Sequence, residues 1–79
     1  MAIKTFEFDL RDYEYYRTEI KNRGFLSANY LSTNGFDVRK LRKMAQEGKL
    51  TAIRCTVGKS VRWYYFENQV EMAHLKGEI

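Results

Sequence analysis

The spacing of apolar side chains at the start of the chain predicts one strand and one helix. Ile3 to Phe8 alternates apolar and polar residues, which is the pattern of a short edge strand. Asp9 is a suitable N-cap for a helix over Leu10–Asn22, whose apolar residues recur at helical spacing on one face. Gly24 lies where a helix commonly ends in a glycine.

Two further helices separated by a turn are predicted next. Ser27 can cap a short helix that runs to about Thr33, and Asn34-Gly35 is a turn signal. Asp37 can cap a third helix, which ends near Glu47. The third helix has one apolar stripe with the spacing i, i+3, i+4 and i+7, formed by Leu41, Met44, Ala45 and Gly48.

A hairpin and a last helix complete the predicted elements. Residues 50–57 alternate in polarity, Gly58-Lys59-Ser60 reverses the chain, and Val61 to Phe66 returns as an aromatic strand. Asn68 is the expected N-cap of a helix over Gln69–Lys76. The pattern therefore predicts an α+β fold in the order helix, helix–turn–helix, two-stranded β wing and C-terminal helix.

Length and composition narrow the setting in which this fold operates. A chain of 79 residues is expected to form a single domain, 1–79. Its one Cys excludes an internal disulfide, which favours a reducing cytosol. The apolar runs are too short for a membrane span, and the N-terminus lacks a secretory signal, so no membrane partner is expected.

The charge is concentrated in the middle third of the chain. Residues 38–62 contain eight of the fourteen Lys and Arg residues and a single acid, Glu47, which gives this stretch a net charge of +7. The remaining residues carry six basic and nine acidic side chains, a net charge of −3. A basic helix followed by a basic hairpin can enter a DNA major groove and contact the neighbouring backbone.

Several residues around this basic stretch resemble a known family. The matching segments are Gly35-Phe36-Asp37, Leu41, Met44-Ala45, Glu47-Gly48-Lys49-Leu50 and the aromatic run from Arg62 to Val70. They resemble the small winged helix-turn-helix domains of phage and plasmid excisionases, which are similar to the DNA-binding half of MerR-type regulators. The resemblance covers Phe25 to Leu75. It implies a winged helix-turn-helix unit over residues 25–76, with residues 1–24 as an N-terminal extension that has no counterpart in the minimal domain.

The resemblance also implies a function. Such a protein binds double-stranded DNA, bends it, and acts as an excisionase (a recombination directionality factor) or as a small phage or plasmid regulator in the bacterial cytoplasm or nucleoid. Its further partners are an integrase or another copy bound cooperatively on DNA. Val38 departs from the family pattern, because a polar or basic residue is more usual at that position.

The candidate DNA-binding residues follow from the basic helix and hairpin. They are Val38, Arg39, Lys40, Arg42, Lys43, Gln46, Arg54, Lys59 and Arg62. The helix cations lack the interleaved acids of an ordinary solvated face, since only Glu47 has the spacing to pair with Lys43. Arg39 and Arg42 suit guanine, whereas the neighbouring lysines suit phosphates.

The remaining candidate DNA-binding residues include Val38 and the cations of the hairpin. Val38 could contact a thymine methyl group. The hairpin cations Arg54, Lys59 and Arg62 could follow phosphates, although cations at strand edges also serve to block edge pairing.

Two alternatives to duplex binding remain open from the sequence. The first is an RNA or single-strand binder that stacks bases on Trp63 and Tyr64, although most strand aromatics suit a core role. The second is a protein-interaction adaptor that uses the helix over Leu10–Asn22, with Tyr15 on its outer side. Catalysis has no support: there is no nucleophile–base pair, phosphate loop or metal-ligand spacing, and His74 is alone. No enzyme activity, cofactor, metal or small-molecule substrate is expected.

Overall fold

A computed structural model describes residues 3–79 as an α+β domain with four helices and one four-stranded mixed sheet. The predicted α+β class is therefore confirmed. In chain order the elements are β1 (Ile3–Phe8), α1 (Leu10–Asn22), β2 (Phe25–Ser27), α2 (Ala28–Thr33), α3 (Val38–Gln46), β3 (Ala52–Val57), β4 (Ser60–Phe66) and α4 (Glu67–Leu75).

The sheet is larger than the predicted two-stranded wing. Its strand order is β1-β3-β4-β2, with β1 parallel to β3 and the other neighbours antiparallel. β1 pairs along the whole of β3, from Ile3 opposite Ala52 to Phe8 opposite Val57. The expectation of a two-stranded wing is thus wrong, because the hairpin forms the middle of the sheet. β2 was not predicted, since three residues directly before a helix are too few to show alternation.

Alternation along β4 gives the sheet two buried faces. Trp63 and Tyr65 point to the side covered by α2, α3 and α4, which we call the three-helix face. Tyr64 points to the side covered by α1, which we call the α1 face. The three-helix face contains the larger cluster of buried side chains, namely Leu31, Leu41, Met44, Ala45, Leu50, Ala52, Tyr65, Val70 and Ala73. The α1 face contains Tyr13, Ile20, Ile53, Cys55 and Tyr64.

Polar side chains define the starts of three helices as predicted. The carboxylate of Asp9 accepts a hydrogen bond from the Asp12 amide at 2.8 Å, and the Ser27 hydroxyl accepts one from the Tyr30 amide at 3.1 Å. Asp37 caps α3 in the same way, through the Arg39 amide at 3.0 Å. Each cap satisfies a backbone donor that has no partner within its own helix.

The predicted Asn68 cap of the last helix is wrong. α4 begins at Glu67, and Phe66 occupies the N-cap position without a side-chain hydrogen bond. The Glu67 amide instead donates to the Gly24 carbonyl at 2.9 Å. Gly24 has φ of 90°, a left-handed conformation that favours glycine at the end of α1. A backbone hydrogen bond from a distant residue therefore satisfies the first amide of this helix.

The hairpin turn has a defined geometry. Gly58 has φ of 60°, and no residue other than glycine has positive φ within residues 3–79. A two-residue turn with a left-handed glycine first and an ordinary residue second is of type II′, whose twist matches that of the two strands. The tip at Gly58-Lys59 is therefore a short, well-defined projection of β3 and β4.

The N-terminal strand and helix share the sheet and its core. Tyr13 and Ile20 of α1 are buried with Ile53 and Tyr64 of the hairpin. Removal of residues 1–22 would expose this cluster and one edge of β3, so truncation is a poor way to test a partner contact on α1. No helix within residues 3–79 combines the length and hydropathy needed to cross a bilayer.

We predict that Ile20→Ala lowers the free energy of unfolding by about 2–5 kcal/mol, because it leaves a cavity between α1 and the hairpin. Thr18→Ala on the exposed side of the same helix should change it by less than about 0.5 kcal/mol. Urea unfolding followed by circular dichroism measures both. Equal stability of the two variants would show that α1 does not complete the core.

Candidate nucleic-acid interface

The outer side of α3 is a stripe of polar and basic side chains. Leu41, Met44 and Ala45 are buried against the sheet, so the opposite side of the helix faces solvent. Arg39, Lys43 and Gln46 lie on that outer side at the spacing i, i+4 and i+7, and all are exposed. We call these three residues the outer stripe. Lys40 and Arg42 are also exposed and flank it on either side.

The cations of α3 are almost free of intramolecular neutralisation. The Arg39 Nε atom is 4.0 Å from Asp37 Oδ1, but the Arg39 side chain is 92% exposed, so this ion pair is weak. Within residues 3–79, no carboxylate forms an ion pair with Lys40, Arg42 or Lys43. The Glu47–Lys43 pair that the spacing allows is not formed. These cations therefore repel one another, and binding of an external anion would reduce that repulsion.

Arg42 is directed towards the sheet. Its guanidinium carbon lies 5.0 Å from the centre of the Trp63 ring, and the Trp63 and Tyr65 rings are nearly parallel at 6.2 Å. A cation over an indole ring is held by the ring quadrupole. The sequence did not reveal this contact, because Arg42 and Trp63 come from different elements that only the tertiary fold brings together.

A polar atom is buried beneath this arrangement. The Tyr65 hydroxyl has no hydrogen-bond partner among the described residues. Burial raises the pKa of Tyr65, and the nearby Arg42 guanidinium acts in the opposite direction. Tyr65 is therefore a neutral part of the core at physiological pH.

The hairpin cations divide between the two sides of the sheet. Arg54 is half-buried and pairs across the strands with Trp63, so both side chains point to the three-helix face. Lys59 is exposed at the turn. The guanidinium of Arg62 instead lies 6.0 Å from the ring centre of Tyr13 on the α1 face. Arg62 thus points to the opposite side of the sheet from Arg54.

Val38 occupies the first turn of α3 and is half-buried. It packs against the larger core cluster. Its side chain therefore contributes to the seating of α3 on the sheet, and the cations of α3 project beyond it.

The α1 face contains a second group of cations that the sequence analysis did not single out. Arg17 and Lys21 are four residues apart on α1, both exposed, and lie near Arg62 around a shared groove. The i, i+4 spacing of two cations on α1 is a sequence signal for them, but only the fold brings them beside Arg62. Arg17 has a weak contact to Glu14 at 3.8 Å.

The buried hydroxyl and thiol groups on the α1 face are poorly suited to act as nucleophiles or as binding groups. The Tyr13 and Tyr64 hydroxyls form a buried hydrogen bond. Burial raises the pKa of Tyr64, and the hydrogen bond with Tyr13 adds to this effect. Burial also raises the pKa of the Cys55 thiol, so the reactive thiolate is disfavoured. Tyr64 is too buried to offer an open ring face to a base.

Titratable side chains do not converge on a metal-binding cluster anywhere in residues 3–79. His74 lies beside Phe36 at a ring-centre distance of 5.5 Å, which places it in an aromatic contact.

No protein-family model, curated protein or solved structure matches the chain significantly. Its function must therefore be inferred from the surfaces described above.

We predict that Arg42→Ala increases the rate at which acrylamide quenches tryptophan fluorescence, because it uncovers one side of the Trp63 ring. Trp63 is the single tryptophan of the chain, so the signal reports on this contact alone. Lys43→Ala, one residue along α3, should leave the quenching rate unchanged. Identical quenching of both variants would mean that Arg42 does not cover Trp63 in solution.

Proposed function

We propose that the chain is a winged helix-turn-helix protein that binds double-stranded DNA in a sequence-specific manner. α3 lies in the major groove, and the turn between β3 and β4 lies beside the neighbouring backbone. The observation that carries this proposal is the outer stripe of α3 with its flanking cations, which are exposed and nearly unneutralised. The chemistry of this surface fits a polyanion.

The dimensions of α3 suit this role. Nine helical residues extend about 13 Å, and a helix with its side chains is about 10–12 Å across. A B-DNA major groove is about 12 Å wide and admits a single helix of this kind. The buried side of α3 rests on the sheet, which would support the helix from behind as it enters the groove.

The proposed roles of the α3 side chains differ. The Arg39 side chain is 92% exposed and is the best candidate to contact guanine through both arms of its guanidinium. Gln46, on the same stripe, could pair with adenine through its amide. Arg42 is held over Trp63, so we assign it to a phosphate beside the groove rather than to a base.

The hairpin supports the proposal as a braced wing. Lys59 is exposed at its tip, and Arg54 faces the same side of the sheet as α3 does. β1 pairs along all of β3, which stiffens the hairpin against bending. A paired hairpin with a cation on the same side of the sheet as the basic helix suits simultaneous contact with the groove and the adjacent phosphates.

The biological setting that we propose comes from the resemblance of residues 25–75 to excisionases and MerR-type domains. The chain would act as a recombination directionality factor or small regulator in a bacterial cell. It would bind DNA alongside an integrase or another copy of itself. The duplex-binding surface is common to both roles, so the same experiments test it.

We predict that Arg39→Ala relaxes sequence preference. A duplex selected from a random library should lose about 1–3 kcal/mol of binding free energy, while a scrambled duplex should lose much less. Arg11→Ala on α1 removes the same charge away from this surface and is the matched control. Fluorescence anisotropy at fixed salt measures all four combinations. Equal losses on both duplexes would assign Arg39 to the phosphate backbone and refute its base-reading role.

We also predict a steep dependence of duplex affinity on salt. If Lys40, Arg42, Lys43, Arg54 and Lys59 each meet a phosphate, the logarithm of the binding constant should fall against the logarithm of salt concentration with a slope of about −4.5. A single-stranded oligonucleotide should compete poorly for the same protein. A slope near zero, or tighter binding of the single strand, would contradict the proposal.

A further inference from the structure

On one side of β4, the first four residues, 60–63, have no neighbouring strand among the described residues. β2 ends at Ser27, opposite Tyr64, so within residues 3–79 no strand lies next to the earlier part of β4 on that side. The β2 side is thus paired only at the last three residues of a seven-residue strand.

Backbone hydrogen bonds show which groups face this open edge. The Phe66 amide donates to the Thr51 carbonyl on the β3 side, at 3.1 Å, and the Glu67 amide donates to Gly24 on the β2 side, at 2.9 Å. Backbone groups alternate between the two edges of an antiparallel strand. Val61 and Trp63 therefore direct their backbone N–H and C=O groups to the β2 side of β4. Ala28, at the start of α2, follows the Ser27–Tyr64 pair and lies opposite the Trp63 carbonyl, so the open groups are those of Val61 and the N–H of Trp63.

A groove of about 660 Å³ runs along this open edge. On the α1 face its wall contains three cations, Arg17, Lys21 and Arg62. On the three-helix face the wall contains Tyr30, Trp63 and Arg42. No carboxylate lines the groove among the described residues. The groove thus lies along a strand edge, with a strongly basic wall on the α1 face and a largely aromatic wall on the three-helix face.

We propose that this groove binds an extended segment of a protein partner that alternates acidic and apolar residues. The segment adds to β4 as a further strand and pairs with the backbone of Val61 and with the N–H of Trp63. Successive side chains of an extended segment point to opposite sides. Its acidic side chains therefore face Arg17, Lys21 and Arg62, while its apolar side chains pack on Tyr30 and Trp63.

The cations also explain the selectivity of this edge. Charged side chains beside an edge strand discourage pairing with most other strands. The same charges favour a strand whose carboxylates neutralise them. The groove therefore rejects a neutral or basic strand and accepts an acidic one.

A peptide fits the groove better than a single nucleic-acid strand. Base stacking needs open ring faces. Tyr13 and Tyr64 are buried, and Arg42 lies over Trp63, which leaves Tyr30 as the exposed ring of the lining. Backbone groups that face an edge without a neighbouring strand, by contrast, are matched by another backbone. Arg42 lines this groove as well as the proposed DNA surface, but Arg17 and Lys21 lie outside that surface, so the two proposals can be tested separately.

The test uses the full chain and a ten-residue peptide of alternating glutamate and valine. Isothermal titration calorimetry should show binding that falls about tenfold when alternate peptide amides are N-methylated, because the backbone hydrogen bonds are then lost. Hydrogen exchange of the Val61 and Trp63 amides should slow on binding. A peptide with lysine in place of glutamate should not bind.

Charge reversal on the protein locates the site. The variant R17E/K21E should bind the glutamate peptide about tenfold more weakly and should gain affinity for the lysine peptide. The variant K4E/K76E carries the same change of net charge at exposed positions outside the groove and should bind as the parent chain does. Both variants should retain duplex binding if the DNA surface is that of α3, so failure of either proposal is seen separately.

Three results would overturn the inference. One is equal binding of the N-methylated peptide, and another is an equal loss of affinity in K4E/K76E. The third is an oligothymidylate that binds more tightly than the peptide and protects the same two amides, which would assign the groove to a nucleic-acid strand.

Discussion

The rest of the structure depends on the burial of both faces of the β3–β4 hairpin. Adjacent residues Tyr64 and Tyr65 point in opposite directions, and each is buried in a different cluster. A shift of register by one residue would exchange the two faces and expose both clusters. The type II′ turn at Gly58 and the pairing with β1 hold this register from two sides. Tyr65 is the largest of the fully buried side chains among the described residues.

The burial of the hairpin between helices on both faces accounts for the orientation of the basic helix α3. α3 buries its apolar residues Leu41, Met44 and Ala45 against the sheet, which leaves polar and basic residues on its outer side. The cations of α3 then face solvent, because the described residues include no buried carboxylate with which they could pair. Arg42, at the boundary, is accommodated by the Trp63 ring rather than by an acid. The core and the proposed DNA surface are therefore two sides of the same helix, and each constrains the other.

Much of this arrangement could be predicted because its signals are local. Asp9, Ser27 and Asp37 cap the helices that follow them, and the buried stripe of α3 follows from residue spacing alone. The alternation of Trp63, Tyr64 and Tyr65 across the sheet likewise follows from the two-residue period of a strand. These features depend on backbone geometry and polarity within a few residues, which a sequence displays directly.

The features that could not be predicted depend on long-range contacts. The pairing of β1 with β3 brings together residues about fifty positions apart, and the start of α4 depends on the Gly24 carbonyl rather than on Asn68. The position of Arg62 over Tyr13 and of Arg42 over Trp63 likewise requires knowledge of which helix covers which face. The groove beside β4 exists because β2 is short, and a three-residue strand has no clear sequence signal.

The central claim is that the outer side of α3 and the hairpin tip form one DNA-binding surface. Amide chemical-shift mapping with a selected DNA duplex tests it most directly. The account predicts the largest shifts in Val38–Gln46 and at Gly58-Lys59, with little change at Arg17 and Lys21. Shifts centred on α1, or distributed evenly over the chain, would contradict it.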